Sequence, residues 1–205
     1  MSSSVTAADL PVYTLSAPED ERTVPPASYG LFLFSHDADV RRSLKSHLST
    51  MSGRDSGFDL SLYADDDTDA DADADAGNKM LTTRVYAKVI HGSVPLLNHY
   101  SIDFNGFDLR LRSSVPKQFG WFLGNGVGTI DAGYCGELKA YMFKSSARDA
   151  TPWRDMCGKR IVQIVAPDLR PFYVVRVYDD QQKWDAMLLK YKSKDRRGGF
   201  GSTNV

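Results

Sequence analysis

An acid and a phenol stand among glycines in Leu123–Gly136, LGNGVGTIDAGYCG. Asp131 there is either a turn residue capping a β-hairpin or a base aimed at a ligand held against bare backbone. A second glycine-rich segment, Arg196–Asn204 (RRGGFGSTN), isolates Phe200 with nothing local to pack against. Such a segment is either disordered or folds over something flat. Its glycines expose backbone N–H groups, Ser202 and Thr203 add hydroxyls, and the arginines add charge, which together suit a lid over an aromatic, phosphorylated ligand.

The elements that would position these groups read as strands. Tyr29–Ser35, Arg84–Ile90, Ser101–Leu111, Gly136–Phe143, Arg160–Val165 and Phe172–Val177 are short runs rich in Val, Ile, Tyr and Phe, punctuated by Gly, Pro, Asn and Asp. Arg41–Leu48 fits a helical turn or a second strand, and no long segment carries a helical period. The class expected is all-β: a sandwich, barrel or jelly roll. Residues 1–28, rich in Ser, Ala, Pro and acids, read as a tail, residues 29–191 as the β domain, and residues 192–205 as an arm. Between them Asp65–Asp75 has Asp at seven of eleven positions, inside an insertion over 65–77. Adjacent carboxylates without ligand spacing make a poor calcium site, so the run reads as a solvated loop held extended by self-repulsion.

Composition narrows the classes. A hydrophobic fraction of 42% over 205 residues supports one real core. A formal charge of −1 gives no global attraction to nucleic acid or to an acidic membrane. The two cysteines, Cys135 and Cys157, have no paired spacing, so neither a disulfide framework nor a cysteine zinc site is expected. No basic stretch followed by an apolar run opens the sequence and no apolar run approaches the ~20 residues that span a bilayer, so an intracellular protein, cytoplasmic or nuclear, is expected.

Five segments, in order, resemble the motifs of the trimeric dUTP pyrophosphatase (dUTPase) family. They are Gly57-Phe58-Asp59-Leu60, Leu111-Arg112-Ser113-Ser114-Val115, Gly128–Glu137 (GTIDAGYCGE), Gly158–Gln163 (GKRIVQ) and Gly198–Thr203 (GGFGST). GFDL recurs at 106–109, but Asp108 lies four residues before Arg112, too close for strands to cross the sheet between the two motifs. The resemblance runs from about residue 53 and implies a distorted jelly-roll β-barrel. It also implies a homotrimer around a threefold axis, with sites shared between chains and each arm reaching a neighbour. The implied reaction is hydrolysis of dUTP to dUMP and pyrophosphate with Mg²⁺.

Carried onto this chain, the resemblance makes Asp131 the base that orients and deprotonates the attacking water. Tyr134 packs on the deoxyribose and leaves no room for a 2′-hydroxyl. Asn125 and the backbone of Gly128 and Ile130 read the uracil edge. Arg112, Ser113 and Ser114 contact phosphates, Gln163 bonds near the α-phosphate, and Asp59 holds a water of the Mg²⁺ shell. Phe200 stacks on the base, while Gly201, Ser202, Thr203 and an arginine clamp the terminal phosphates.

The chain departs from the family pattern in places. Asp195 stands where motif five has Arg, which makes Arg196 the candidate. Lys159 replaces a common Asp, and Leu111 replaces the leading Pro of motif two. Two rivals remain open at this point. The dCTP deaminases need a catalytic Glu on the strand after the hairpin, where this chain reads Ala140-Tyr141-Met142-Phe143. The other rival is a non-catalytic regulatory or protein-interaction module of the same fold, which has no use for a water-orienting Asp.

Overall fold

The computed structural model describes residue 24 and residues 27–64, 77–92, 102–145 and 150–190. The acidic insertion, most of the N-terminal tail and the arm carrying Arg196, Phe200, Gly201, Ser202 and Thr203 lie outside the described residues.

Alternation dictates the strands that matter most. In β2 (Gly57–Ser61) a period of two buries Phe58 and Leu60 and turns Gly57, Asp59 and Ser61 to the other face. The same alternation buries Phe107 and Leu109 of β7 (Phe107–Leu111), while in β11 (Arg160–Val165) only Gln163 and Arg160 escape burial. The remaining strands are β1 (Tyr29–Phe34), β3 (Tyr63–Ala64), β4 (Asn78–Thr82), β5 (Tyr86–Gly92), β6 (Ile102–Asn105), β8 (Trp121–Leu123), β9 (Val127–Ile130), β10 (Lys139–Lys144) and β12 (Phe172–Tyr178). They form three four-stranded sheets, ordered β12-β1-β5-β6, β3-β4-β10-β8 and β2-β11-β7-β9. The all-β, jelly-roll-like class expected from the sequence is what is found, although among the described residues the strands pair as separate sheets and do not close into a barrel.

Helices are where the expectation falls short. The ambiguous stretch at 41–48 is the body of α1 (Ala38–Leu48). Asp37 caps it by accepting from the N–H groups of Asp39 and Val40, and Val40, Leu44 and Leu48, each four residues apart, form its buried stripe. A short α2 (Val115–Phe119) follows the Arg112-Ser113-Ser114 segment. Within the stretch read only as β domain, α3 (Gln181–Lys190) forms instead. Asp180 starts it by accepting from the N–H groups of Gln182 and Lys183, and Trp184 and Met187 anchor it.

One large core joins the sheets through Leu31, Leu33, Phe58, Leu60, Leu109, Trp121, Met142 and Ile164, all fully or nearly fully buried. Each such side chain contributes about 1.5–3 kcal/mol by leaving water. A second cluster, Phe32, Phe34, Ile90, Tyr178, Trp184 and Met187, fixes α3 on the outer face of β1 and β12.

Candidate functional site

The register of β2, β11 and β7 sets Asp59, Gln163 and Arg110 side by side, since Gln163 pairs with both Asp59 and Arg110. Opposed residues on neighbouring strands share a face, so the row is a polar strip on the back of the core. At its end Arg112 leaves β7. Its Nε lies 3.0 Å from an Asp59 carboxylate oxygen, and its Nη1 donates to the Arg160 carbonyl at 2.9 Å. Both ends of the guanidinium are thereby fixed. Asp108 of the repeated GFDL is instead held by Arg110, 2.7 Å away.

Gly57 is required by a close approach. A Cβ there would lie 2.2 Å from Oε1 of Gln163. Gly57→Ala is therefore expected to swing the Gln163 amide away while the sheet stays formed. The check is NMR of the Gln163 side-chain amide together with melting temperature: the amide signals shift while the melting point changes little.

His47 of α1 and Arg160 belong to this cluster, and neither was identified from the sequence. The Asp59 N–H donates to His47 Nε2 at 3.1 Å, and Arg160 Nη1 stands 2.6 Å from Nδ1. Arg160 adjoins the Gly158-Lys159 segment and could have been flagged as a nearby cation. Nothing local in sequence marks His47, because its partners come from β2 and β11. Burial, then the charges of Arg160 and Arg112, push the His47 pKa down to about 4. Burial pushes the Asp59 carboxyl up from its ordinary value, while Arg112 and Arg160 pull it back in part.

The sign of the His47 effect follows from linkage. Its folded pKa lies below its ordinary value of 6.5, so between those limits the unfolded chain binds more protons. Stability present above pH 6.5 is lost as pH falls toward 4. Because the ring is only half-buried, solvent screening limits the loss to about 1–2 kcal/mol. Melting temperature against pH should show this slope in the unaltered protein and a flatter one in His47→Gln.

The hairpin lies elsewhere on the same sheet. β9 pairs with β7 in the register Phe107↔Ile130 to Arg110↔Val127. Asp131 therefore follows the end of β9 nearest Gly106, while Arg112 lies beyond the opposite end of β7. The offset of six residues puts them roughly 20 Å apart at about 3.3 Å per residue. Asp131 is exposed, and the Tyr134 N–H donates to its carbonyl at 3.0 Å, closing a turn. The Tyr134 hydroxyl donates to the Glu137 carbonyl at 2.8 Å, and burial pushes its pKa up. Lys88 of β5, fully buried, donates to the Ala132 carbonyl at 2.9 Å. Asn125 folds back over Gly128, where a Cβ would meet its Nδ2 at 3.3 Å. Ser113 is exposed, and Ser114 stands at the N-cap position of α2 without a side-chain cap bond. The structure thus gathers Asp59, Arg112 and Gln163, and keeps Asp131 and Tyr134 apart from them within one chain.

Among the described residues no cluster of three or more His, Cys, Asp or Glu could hold a metal. Asp59 is a single carboxylate with an arginine beside it. That fits an ion which keeps its own waters and relies on ligand phosphates, and it does not fit a cation held directly by several side chains.

No family model matches the chain. Over 101 residues it is 33% identical to the deoxyuridine 5′-triphosphate nucleotidohydrolase of Wolbachia sp. subsp. Brugia malayi, a match covering 48% of this chain and 58% of that protein. The chain thus spans less than two thirds of that relative. A crystal structure of dUTPase from Streptococcus mutans aligns at a TM-score of 0.35 and 24% identity, covering 57% of this chain and 78% of that one. Over those 101 residues the chain is similar to a protein named a deoxyuridine 5′-triphosphate nucleotidohydrolase, and its five ordered segments resemble the motifs of dUTPases.

Proposed function

We propose that this protein hydrolyses dUTP to dUMP and pyrophosphate. The observation that carries the reading is the Arg112 guanidinium, locked between Asp59 and the Arg160 carbonyl, with Gln163 the cross-strand partner of Asp59. A fixed, charged fork of this kind recognises phosphate oxygens in two directions and loses little freedom on binding.

In the reaction Asp131 takes a proton from a water whose oxygen bonds to the α-phosphorus. The bond from that phosphorus to the bridging oxygen of the β-phosphate breaks, and pyrophosphate leaves. Arg112, Ser113 and Gln163 hold the phosphates in line, Tyr134 packs on the deoxyribose, and Asn125 with the Gly128–Ile130 backbone selects uracil. Mg²⁺, when bound to the triphosphate with a water on Asp59, supplies charge neutralisation. Phe200 and the rest of the arm close over the base and exclude water.

The separation of Asp131 from Arg112 within one chain supports sites built between subunits. A closed threefold ring brings the turn of one chain to the phosphate groups of the next. Mixing inactive Asp131→Asn chains with inactive Arg112→Ala chains should restore activity to about a quarter of that expected of intact sites, the statistical share in a ring where each site draws on two chains. Confirmed mixed oligomers that stay inactive would count against shared sites.

The direct test is pyrophosphate release from a panel of deoxynucleoside triphosphates, with and without Mg²⁺. Release from dUTP alone supports the proposal. Ammonia from dCTP would point to deamination, and no turnover of any nucleotide would point to a binding module.

A further inference from the structure

A groove of about 580 Å³ runs between α3 and Cys135–Glu137, the segment that follows the Asp131 turn. Phe34 of β1, Tyr86 of β5 and Trp184 of α3 give it aromatic walls. The Phe34 and Trp184 rings stack at 5.9 Å between centres, so the packing that anchors α3 also fixes one wall. Glu137 and Asp185 supply acidic charge, and among the described residues no lysine or arginine lines the groove. The Thr82 hydroxyl donates to Glu137, and Gln181 Nε2 donates to Asp185 at 2.7 Å, which holds both carboxylates in place. Paired acids beside aromatic faces repel phosphates and suit a cation on an apolar stem. This groove is no part of the phosphate cluster at Arg112.

The chain itself delivers such stems. Leu188 and Leu189, near the C-terminal end of α3, line the groove, and Leu189 is 79% exposed at its rim. The helix ends at Lys190 and the chain continues through Lys190–Arg197 (KYKSKDRR), which holds five cations and one acid. Asp185 lies five residues back from that exit, about 7.5 Å along the helix axis. Four extended residues span about 13 Å, enough to turn back over Leu189 and reach it. In an extended segment Lys192 and Lys194 share one face, so both can point into the groove.

We infer that the groove holds residues 191–194 of its own chain, with the stems of Lys192 and Lys194 on the aromatic walls and their ammonium groups on Asp185 and Glu137. The docking stands without the nucleotide reading. Joined to that reading, and resting on it only for this step, it fixes which turn the glycine-rich run serves. A segment seated beside Cys135–Glu137 carries Gly198–Thr203 to the Asp131 turn of the same chain, whereas the family resemblance implies a neighbour's.

Disulfide trapping in the full chain tests the docking, with Cys157→Ser leaving Cys135 as the native thiol in the groove wall. Lys194→Cys should oxidise onto Cys135 about fivefold or more faster than Asn204→Cys, because docking raises its local concentration. The product should run as a single chain on non-reducing gels. Maleimide labelling of Cys135 gives a second readout. It should be about fivefold or more faster in Lys192→Glu/Lys194→Glu than in the Cys157→Ser parent, as two ion pairs are lost. Lys192→Arg/Lys194→Arg should match the parent, and adding Asp185→Lys to the glutamate pair should slow labelling again. Circular dichroism and melting temperature establish that each variant folds. A linkage between two chains would assign the groove to a neighbour's arm and overturn the inference. So would faster trapping by Tyr13→Cys, which assigns the N-terminal segment, equal rates from Lys194→Cys and Asn204→Cys, or labelling unmoved by charge reversal. Neither readout uses a nucleotide, so a chain that traps as expected but leaves dUTP intact loses only the catalytic reading.

Discussion

Asp131→Asn should hydrolyse dUTP about 10²–10⁴-fold more slowly than the unaltered chain, the range a positioned general base supplies. The amide keeps the shape of the side chain and cannot take the proton. The turn that carries it is held by bonds that the substitution does not touch: the Tyr134 N–H on the residue-131 carbonyl and Lys88 on the Ala132 carbonyl. Melting temperature should therefore stay within a degree or two while turnover collapses. Binding of a non-hydrolysable dUTP analogue should be nearly unchanged, because the lost interaction forms only as the water attacks. Folded Asp131→Asn protein that turns over at the normal rate would end the proposal.

Arg112→Ala should combine a large loss of activity with a loss of stability, and the two should separate with pH. Removing the guanidinium leaves Asp59, largely shielded from solvent, without its nearest positive charge. The cost of an uncompensated charged group in that setting is about 1–3 kcal/mol. Burial already raises the Asp59 carboxyl, and loss of Arg112 raises it further. A folded pKa above the unfolded one means the folded chain holds the proton more tightly. The penalty is then full where the carboxyl is ionised in both states, at neutral pH, and shrinks as acid protonates it. Melting curves of the variant and the unaltered chain should converge on acidification. Turnover should fall about 10²-fold or more at every pH, since the phosphate contact is gone whatever the state of Asp59. A constant gap in melting temperature would mean that Asp59 does not sense Arg112.

Much of the fold was legible because its strands follow simple rules. The GFDLS run alternates, and the β-branched run at 160–165 bounded by Lys159 and Pro167 became a strand over the same residues. Ser101–Leu111, read as one strand, splits at Gly106 into β6 and β7. Gly106 packs so closely on the Ile130 carbonyl that a Cβ would sit 3.0 Å from it. The helix α3 was not legible. Only Trp184 and Met187 of its ten residues read as a buried face, and that face has meaning only once β1 and β12 offer Phe32, Phe34 and Tyr178 to pack against. The site shows the same division. Asp59, Arg112 and Gln163 were found by motif order and do meet. His47 was invisible, because a lone histidine acquires its role from strands 12 and 113 residues away.

Lys88 carries a last consequence. Its amino group is sealed beneath the turn that bears Asp131, yet it belongs to β5, in the sheet β12-β1-β5-β6, which does not contain the hairpin strand. Amine-directed reagents reach surface lysines at once, but must wait at this position until the neighbouring strands part. The rate at which Lys88 becomes acylated is therefore a clock for opening events in that sheet, and each tick of it also breaks the Lys88 bond to the turn that bears Asp131.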